Sequence, residues 1–258
     1  MSGKRLGELL ADSGRHWPRH TALVFPGQRL SYAELYRESR RRAAALESLG
    51  IQPGEHVGIL MPNSVDFLLW MFGCALHGSV AVLINARYKS AELGYVVANA
   101  DLSCLITRHD RQAHQDYPSL LRETFPDLDN LAAGLGPAEA PALQRILLCG
   151  DAGECLDGPW LHAADLLHGL EPLDPALRPV PADAPCLMLY TSGTTSHPKG
   201  CLLSHRQLTA KTAAIVERLQ FRDSDCQWNP LPLFHLASLL PMLASFATGG
   251  RYLSDRSE

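Results

Sequence analysis

Apolar residues follow two rhythms along this chain, and the alternation between them predicts a fold. In SYAELYRESRRRAAALESLG, residues 31–50, Leu35, Ala43 and Leu46 recur near the helical period, which predicts a helix with one face on a core. Ser31 and Glu34 match a Ser-x-x-Glu capping box at its start, and Gly50 suits its stop. The basic run Arg40 to Arg42 reads as a solvated face of that helix. After the turn QPGE comes HVGILM, a continuous apolar run that fits a buried strand, with Asn63 and Ser64 as candidate caps for a helix from Val65.

The same alternation repeats downstream. Phe67 to Ala86 runs twenty residues without Asp, Glu, Lys or Arg, about the length of a bilayer span. It is interrupted by HGS and then turns β-branched, so it reads as buried helix, glycine stop and buried strand. Ser90 is the expected cap of AELGYVVANA, CLITR and RILLCG are further strands, and residues 109–139 read as mixed helix and loop. Residues 171–185 hold five prolines and predict a stiff surface crossing. That crossing leads into the strand CLMLYTS, and CLLSH follows as another strand. A second uncharged stretch, Leu231 to Gly250, is broken as a span by Pro232, Pro241, His235 and a final Gly-Gly. Alternating strands and helices of this kind indicate an α/β fold with largely parallel sheets.

Composition narrows the function classes. The 258 residues are 46% hydrophobic and 19% charged, enough apolar content for a large core in one large or two smaller domains. A net charge of -4 offers no basic field for a nucleic-acid backbone, which removes nucleic acid as primary partner. Seven cysteines, an odd number without a CxxC pair, read as reduced and mostly buried thiols. Together with Asp12 breaking any early apolar run, they give a cytoplasmic expectation.

The densest candidate chemistry is YTSGTTSHPKG, residues 190–200, which packs five Ser and Thr hydroxyls, two glycines and a lysine behind a strand. Backbone N–H groups in such a turn form an anion nest, hydroxyls add donors, and lysine neutralises charge. It is not a Walker loop: counted from Gly193, Pro198 stands where the second glycine belongs, and a strand rather than a helix follows. His205 reads as structural and His77 as a core or surface histidine, while His235 taken alone reads as a core histidine.

In that strand context, YTSGTTSHPKG resembles the phosphate-binding signature of the AMP-forming, adenylate-forming enzymes. SYAELYRESRRRAAALESLGIQPGEHVGILMPNS, GSVAVLINARYKSAEL and PLFHLASLLPML are similar to further segments of that superfamily, in the same order, from about Thr21 to Tyr252. PLFH and NARYKSAEL are typical of the acid–CoA ligase branch, and Ser196 departs from the glycine many members carry. The resemblance implies layered αβ subdomains with largely parallel sheets, as in the large N-terminal domain of acyl-CoA synthetases. Residues 1–258 would then be a partial AMP-binding domain without the C-terminal lid.

The resemblance also implies roles. Thr191, Ser192, Gly193, Thr194, Thr195 and Lys199 would wrap the β- and γ-phosphates of ATP, with Thr195 nearest Mg²⁺. His235 would stand beside the acyl carboxylate, and Phe234, Leu236 and Leu239 would line an apolar pocket for a fatty or aryl acid. Coenzyme A would be the second acceptor. The family's acidic magnesium holder, ribose-binding aspartate, hinge and lid lysine find no counterpart, so the chain is expected to be incomplete for catalysis. The alternative is a non-catalytic nucleotide-binding or interaction protein, and unpaired edges predict self-association.

Overall fold

Burial at nearly every position along HVGIL and VAVL is what a sheet covered on both faces requires. The computed structural model describes residues 3–109, 115–150, 156–174, 179–191 and 197–255. In chain order these form α1 (Leu6–His16), β1 (Thr21–Phe25), β2 (Gln28–Ser31), α2 (Tyr32–Ser48), β3 (His56–Leu60), α3 (Val65–His77), β4 (Val80–Leu83), α4 (Ser90–Asn99), β5 (Leu102–Arg108) and α5 (Tyr117–Thr124). A 3₁₀ turn at Leu128–Ala133 precedes β6 (Arg145–Cys149), β7 (Trp160–His162) and α6 (Ala163–Leu167). Then come β8 (Pro185–Thr191), β9 (Lys199–Ser204), α7 (His205–Leu219), β10 (Cys226–Asn229), α8 (Leu236–Thr248) and β11 (Arg251–Ser254).

The larger sheet has strand order β7-β6-β5-β3-β4-β8-β9, parallel except for the antiparallel pair β8/β9. Val57, Ile59, Ala81, Leu83, Cys104, Ile106, Leu187 and Leu189 point into one core with α1, α2, α3 and α8. Their neighbours Leu60, Val80, Val82, Leu102, Leu105 and Met188 point into a second core with α4 and α5. The smaller sheet, β10-β11-β1-β2, adds Leu23, Phe25 and Tyr252 to the first core. The α/β expectation with largely parallel sheets therefore holds.

Helix α3 shows why the uncharged stretch is core. Every residue of it but Asp66 is buried, it is capped by Ser64 accepting from the Phe67 amide at 3.1 Å, and it ends at Gly78 in the left-handed conformation. Gly73 on α3 lets α2 approach: a Cβ there would meet the Arg42 Cβ at 2.7 Å and the Ala43 nitrogen at 3.3 Å. Among the described residues no helix is long and apolar enough to cross a membrane.

Three local expectations are corrected. The Arg40–Arg42 run is not a solvated face. Arg40 and Arg41 donate to the carbonyls of Leu173 (2.6 Å) and Leu170 (3.2 Å), and Arg41 also bonds the Leu167 carbonyl, tying the segment before β8 to α2. Arg42 is buried and bonds Glu38 at 2.6 Å, while Arg42 and Arg108 both reach the Asp66 carboxylate. Burial pushes the Glu38 carboxyl up, but Arg42 and Arg41 outweigh it and hold the group below its ordinary value. Helix α4 is capped at Lys89, with Ser90 inside it donating to Glu123 at 2.7 Å. Asn63 caps nothing and makes the long-range contacts described below. Pro241 lies inside α8, which at 13 residues is too short for the span that the uncharged stretch Leu231 to Gly250 suggested by length alone.

Candidate active site

The structure describes the two ends of the hydroxyl-rich loop. Thr191 closes β8 and stands in register with Lys199, the first residue of β9, so the predicted phosphate residues at either end are cross-strand partners. Ser192, Gly193, Thr194 and Thr195 lie outside the described residues. One pair further down, Tyr190 faces Gly200, where a Cβ would come within 3.2 Å of the Tyr190 ring. Glycine thus lets the ring lie flat across the hairpin.

Helix α4 braces this hairpin from the side. The Tyr190 hydroxyl donates to Asn99 Oδ1 at 2.8 Å, and Tyr95 stacks on His197 with ring centroids 4.6 Å apart and an interplanar angle of 17°. Burial, with Tyr95 and Tyr88 adding to it, pushes the Tyr190 phenol up to about 12, so it stays a protonated donor at neutral pH. Nothing in the sequence marked Tyr95 or Asn99 as supports; both read as ordinary helix residues until β8 is placed beside them.

The segment between β10 and α8 carries His235. His235 takes the N-cap position of α8 without a side-chain cap bond, accepts the Ser238 and Leu239 amides on its carbonyl, and is exposed. Its ring lies 4.6 Å from that of Phe234. Phe234 and Leu239 belong to the first core, whereas Leu236 is 37% exposed. The predicted pocket residues therefore divide between the interior and the side on which His235 stands.

A polar knot holds this segment. Asn229 Nδ2 shares its two protons among the Leu231 carbonyl (3.1 Å), the Tyr252 hydroxyl (2.8 Å) and Ser238 Oγ, and its Oδ1 accepts from the Leu231 amide at 3.2 Å. Asn63, 2% exposed at the carboxyl end of β3, donates to the Leu231 carbonyl (2.9 Å) and to Ser254 Oγ (3.2 Å), and accepts from the Leu233 amide at 2.7 Å. β4 alone separates the parallel strands β3 and β8, so their carboxyl ends lie about 10 Å apart. Asn63 thus fastens the His235 segment to the same sheet edge at which β8 ends in Thr191. That is the edge where open parallel sheets bind ligands.

The other histidines behave as core. His205 is buried and its Nδ1 accepts the Leu6 amide at 3.1 Å; burial, then the Arg5 charge, lowers it to about 4. His77 is fully buried at the end of α3. Cys74, Cys104, Cys149 and Cys186 are buried and Cys201 and Cys226 exposed, while Cys155 lies outside the described residues. A cavity of about 700 Å³ lined by Pro53, Gly54, Gly78, Val180 and Pro185 opens at the amino ends of β3, β4 and β8, the opposite edge from the candidate site. Among the described residues no group of three or more His, Cys, Asp or Glu side chains could hold a metal ion.

The chain matches the AMP-binding enzyme family over residues 10–255. It is 28% identical over 263 residues to a long-chain-fatty-acid–CoA ligase of Mycobacterium tuberculosis, covering 97% of this chain and 45% of the relative. It is 33% identical over 251 residues to a feruloyl-CoA synthase of an Amycolatopsis species, covering 97% of this chain and 44% of the relative. Among solved structures, the N-terminal domain of FACL13 from Mycobacterium tuberculosis aligns with a TM-score of 0.77 at 27% identity, covering 99% of this chain and 58% of that one. The chain spans less than half the length of these curated relatives. Because the match takes in every strand of both sheets, the chain belongs to the AMP-binding enzyme family, to which acyl-CoA and aryl-acid ligases belong.

Proposed function

We propose that this chain is the phosphate-binding portion of an ATP-dependent acid–CoA ligase. Such an enzyme joins a fatty or aryl carboxylate to ATP as acyl-adenylate, and the acyl group then passes to the thiol of coenzyme A. One observation carries the proposal: Asn63 ties the His235 segment, which follows β10 of the smaller sheet, to the edge of the larger sheet where Thr191 ends β8 opposite Lys199.

In the adenylation step a carboxylate oxygen attacks the α-phosphorus and pyrophosphate leaves with both bridging electrons. The Lys199 ammonium and the hydroxyls of Thr191, Ser192, Thr194 and Thr195, with the Gly193 amide, meet the charge that grows on the departing phosphates. A fixed donor of this kind contributes about 3 kcal/mol at the transition state. His235, exposed at the start of α8, would face the carboxylate with Leu236 beside it toward the acyl chain, while Phe234 and Leu239 back them from the core. Thr195 is the residue that would hold magnesium, which would supply charge neutralisation for the phosphates.

The deciding experiment is pyrophosphate–ATP exchange by the purified chain with short, long and aromatic acids, with Lys199→Ala as control. Exchange that depends on one acid and on Lys199 supports an adenylating unit and names its substrate class. A folded chain that binds ATP through Lys199 without exchange with any acid is the phosphate-binding part alone, with the chemistry carried elsewhere; a folded chain that binds no ATP refutes the reading. We also infer self-association, because β9 is an edge strand with Leu202 48% exposed and Trp228 on β10 is 58% exposed. A monomeric mass in light scattering would refute it.

A further inference from the structure

We propose that Asn63 is a positioning residue for His235, setting the distance between the histidine and the phosphate hairpin. The two segments sit on different sheets: His235 follows β10 of the smaller sheet, and Thr191 and Lys199 bound the outermost hairpin of the larger one. Asn229 ties residues 231–238 to their own sheet through Leu231, Ser238 and Tyr252. Asn63 does something different. It projects from the connection after β3 and pairs with the segment 168 and 170 residues away, donating at Leu231 and accepting at Leu233 as a neighbouring strand would.

Both ends of that amide are committed, and its burial makes each lost bond costly. Removing it leaves Asn229 to preserve the local turn and the first core to hold α8 and the smaller sheet, while the hydrogen bonds that set the segment's position at the edge of the larger sheet are lost. Leu233 is fully buried two residues before His235, which leaves little chain to absorb a shift. A displacement of about 1 Å is enough to slow a reaction that needs two groups at fixed separation.

The catalytic consequence rests on the proposed ligase function, but the positional claim does not. A nitroxide on Cys201 of β9, with Cys155 and Cys226 replaced by serine, reports distance through broadening of histidine imidazole signals. In the chain so labelled, the His235 signal is expected to be broadened, and Asn63→Ala is expected to lose at least half of that broadening. His205, which follows β9 directly, is expected to keep its own broadening and so certifies the fold. Asn63→Asp keeps the acceptor for the Leu233 amide and loses the donors; it should fall between the two and decides the matter if the alanine variant does not fold. Unchanged His235 broadening in a folded variant overturns the proposal.

If exchange with decanoate or benzoate is measurable, Asn63→Ala should raise KM for the acid about tenfold while KM for ATP stays within about twofold. Equal changes in both overturn the specific link to His235. If no acid supports exchange, the chain is the phosphate-binding part alone and the broadening by itself judges Asn63; if the folded chain binds no ATP, the ligase reading fails and the broadening still judges Asn63.

Discussion

The interior strands β3 and β4 and the marginal hairpin β8–β9 belong to one sheet but are shaped by different demands. β4 is buried at every position and β3 at all but His56, whereas the first four residues of β9 are exposed. Burial on two faces accounts for Val57, Ile59, Val80 and Val82 without any appeal to function. It does not account for a lysine, a threonine and a glycine at the mouth of the hairpin. Where the core stops dictating residue identity, chemistry becomes the better explanation.

The contrast can be broken by substitution, beginning with the largest effect. Trp70 on α3 is fully buried and its indole N–H points at Cys149 Sγ, 3.2 Å away. Trp70→Ala should cost about 4 kcal/mol in urea unfolding; a loss under about 1 kcal/mol would mean the interior is not packed as described. Acid should come next. His205 is lowered from 6.5 to about 4, so the neutral form is the folded one. Its contribution is complete above about pH 6.5 and is lost as pH falls toward 4, up to about 3 kcal/mol. Measured stability should drop across that window, and His205→Asn should flatten the drop; an unflattened curve would place the acid sensitivity elsewhere.

Ser31 accepts from the Glu34 amide at 3.3 Å, and Glu34 bonds back to the Ser31 amide at 2.8 Å. Ser31→Ala should therefore cost about 1 kcal/mol, visible as a shifted urea midpoint with an unchanged slope. The smallest stability effect belongs to the hairpin. Lys199→Ala should change stability by less than about 0.5 kcal/mol while weakening ATP binding, read by calorimetry. A large loss of stability without loss of nucleotide affinity would turn the comparison round and make Lys199 structural.

What the sequence revealed follows the same division. The capping box at Ser31, the buried helix and strand between Phe67 and Ala86, and the strand entering Thr191 were legible because each is written in residues close together. The resemblance of residues 190–200 and of PLFH marked the segments proposed as the site. Illegible were contacts made over long separations. Arg40 and Arg41 carry solvated-looking charges whose partners are carbonyls about 130 residues away. Asn63 sits where a cap would sit, yet Ser64 caps and Asn63 reaches the His235 segment. β7, three residues with Leu161 38% exposed, is too short to have a rhythm.

The parallel pairing of β1 with β11, Leu23 beside Tyr252, has a consequence for biosynthesis. During translation the β1–β2 hairpin emerges among the first elements, but its parallel partner is made more than two hundred residues later. Until β11 leaves the ribosome, one side of β1 has open hydrogen-bonding groups beside the apolar residues Leu23 and Phe25. Of the two sheets the smaller is therefore the later to close, and nascent chains stalled before residue 251 are the ones a chaperone should recognise at β1.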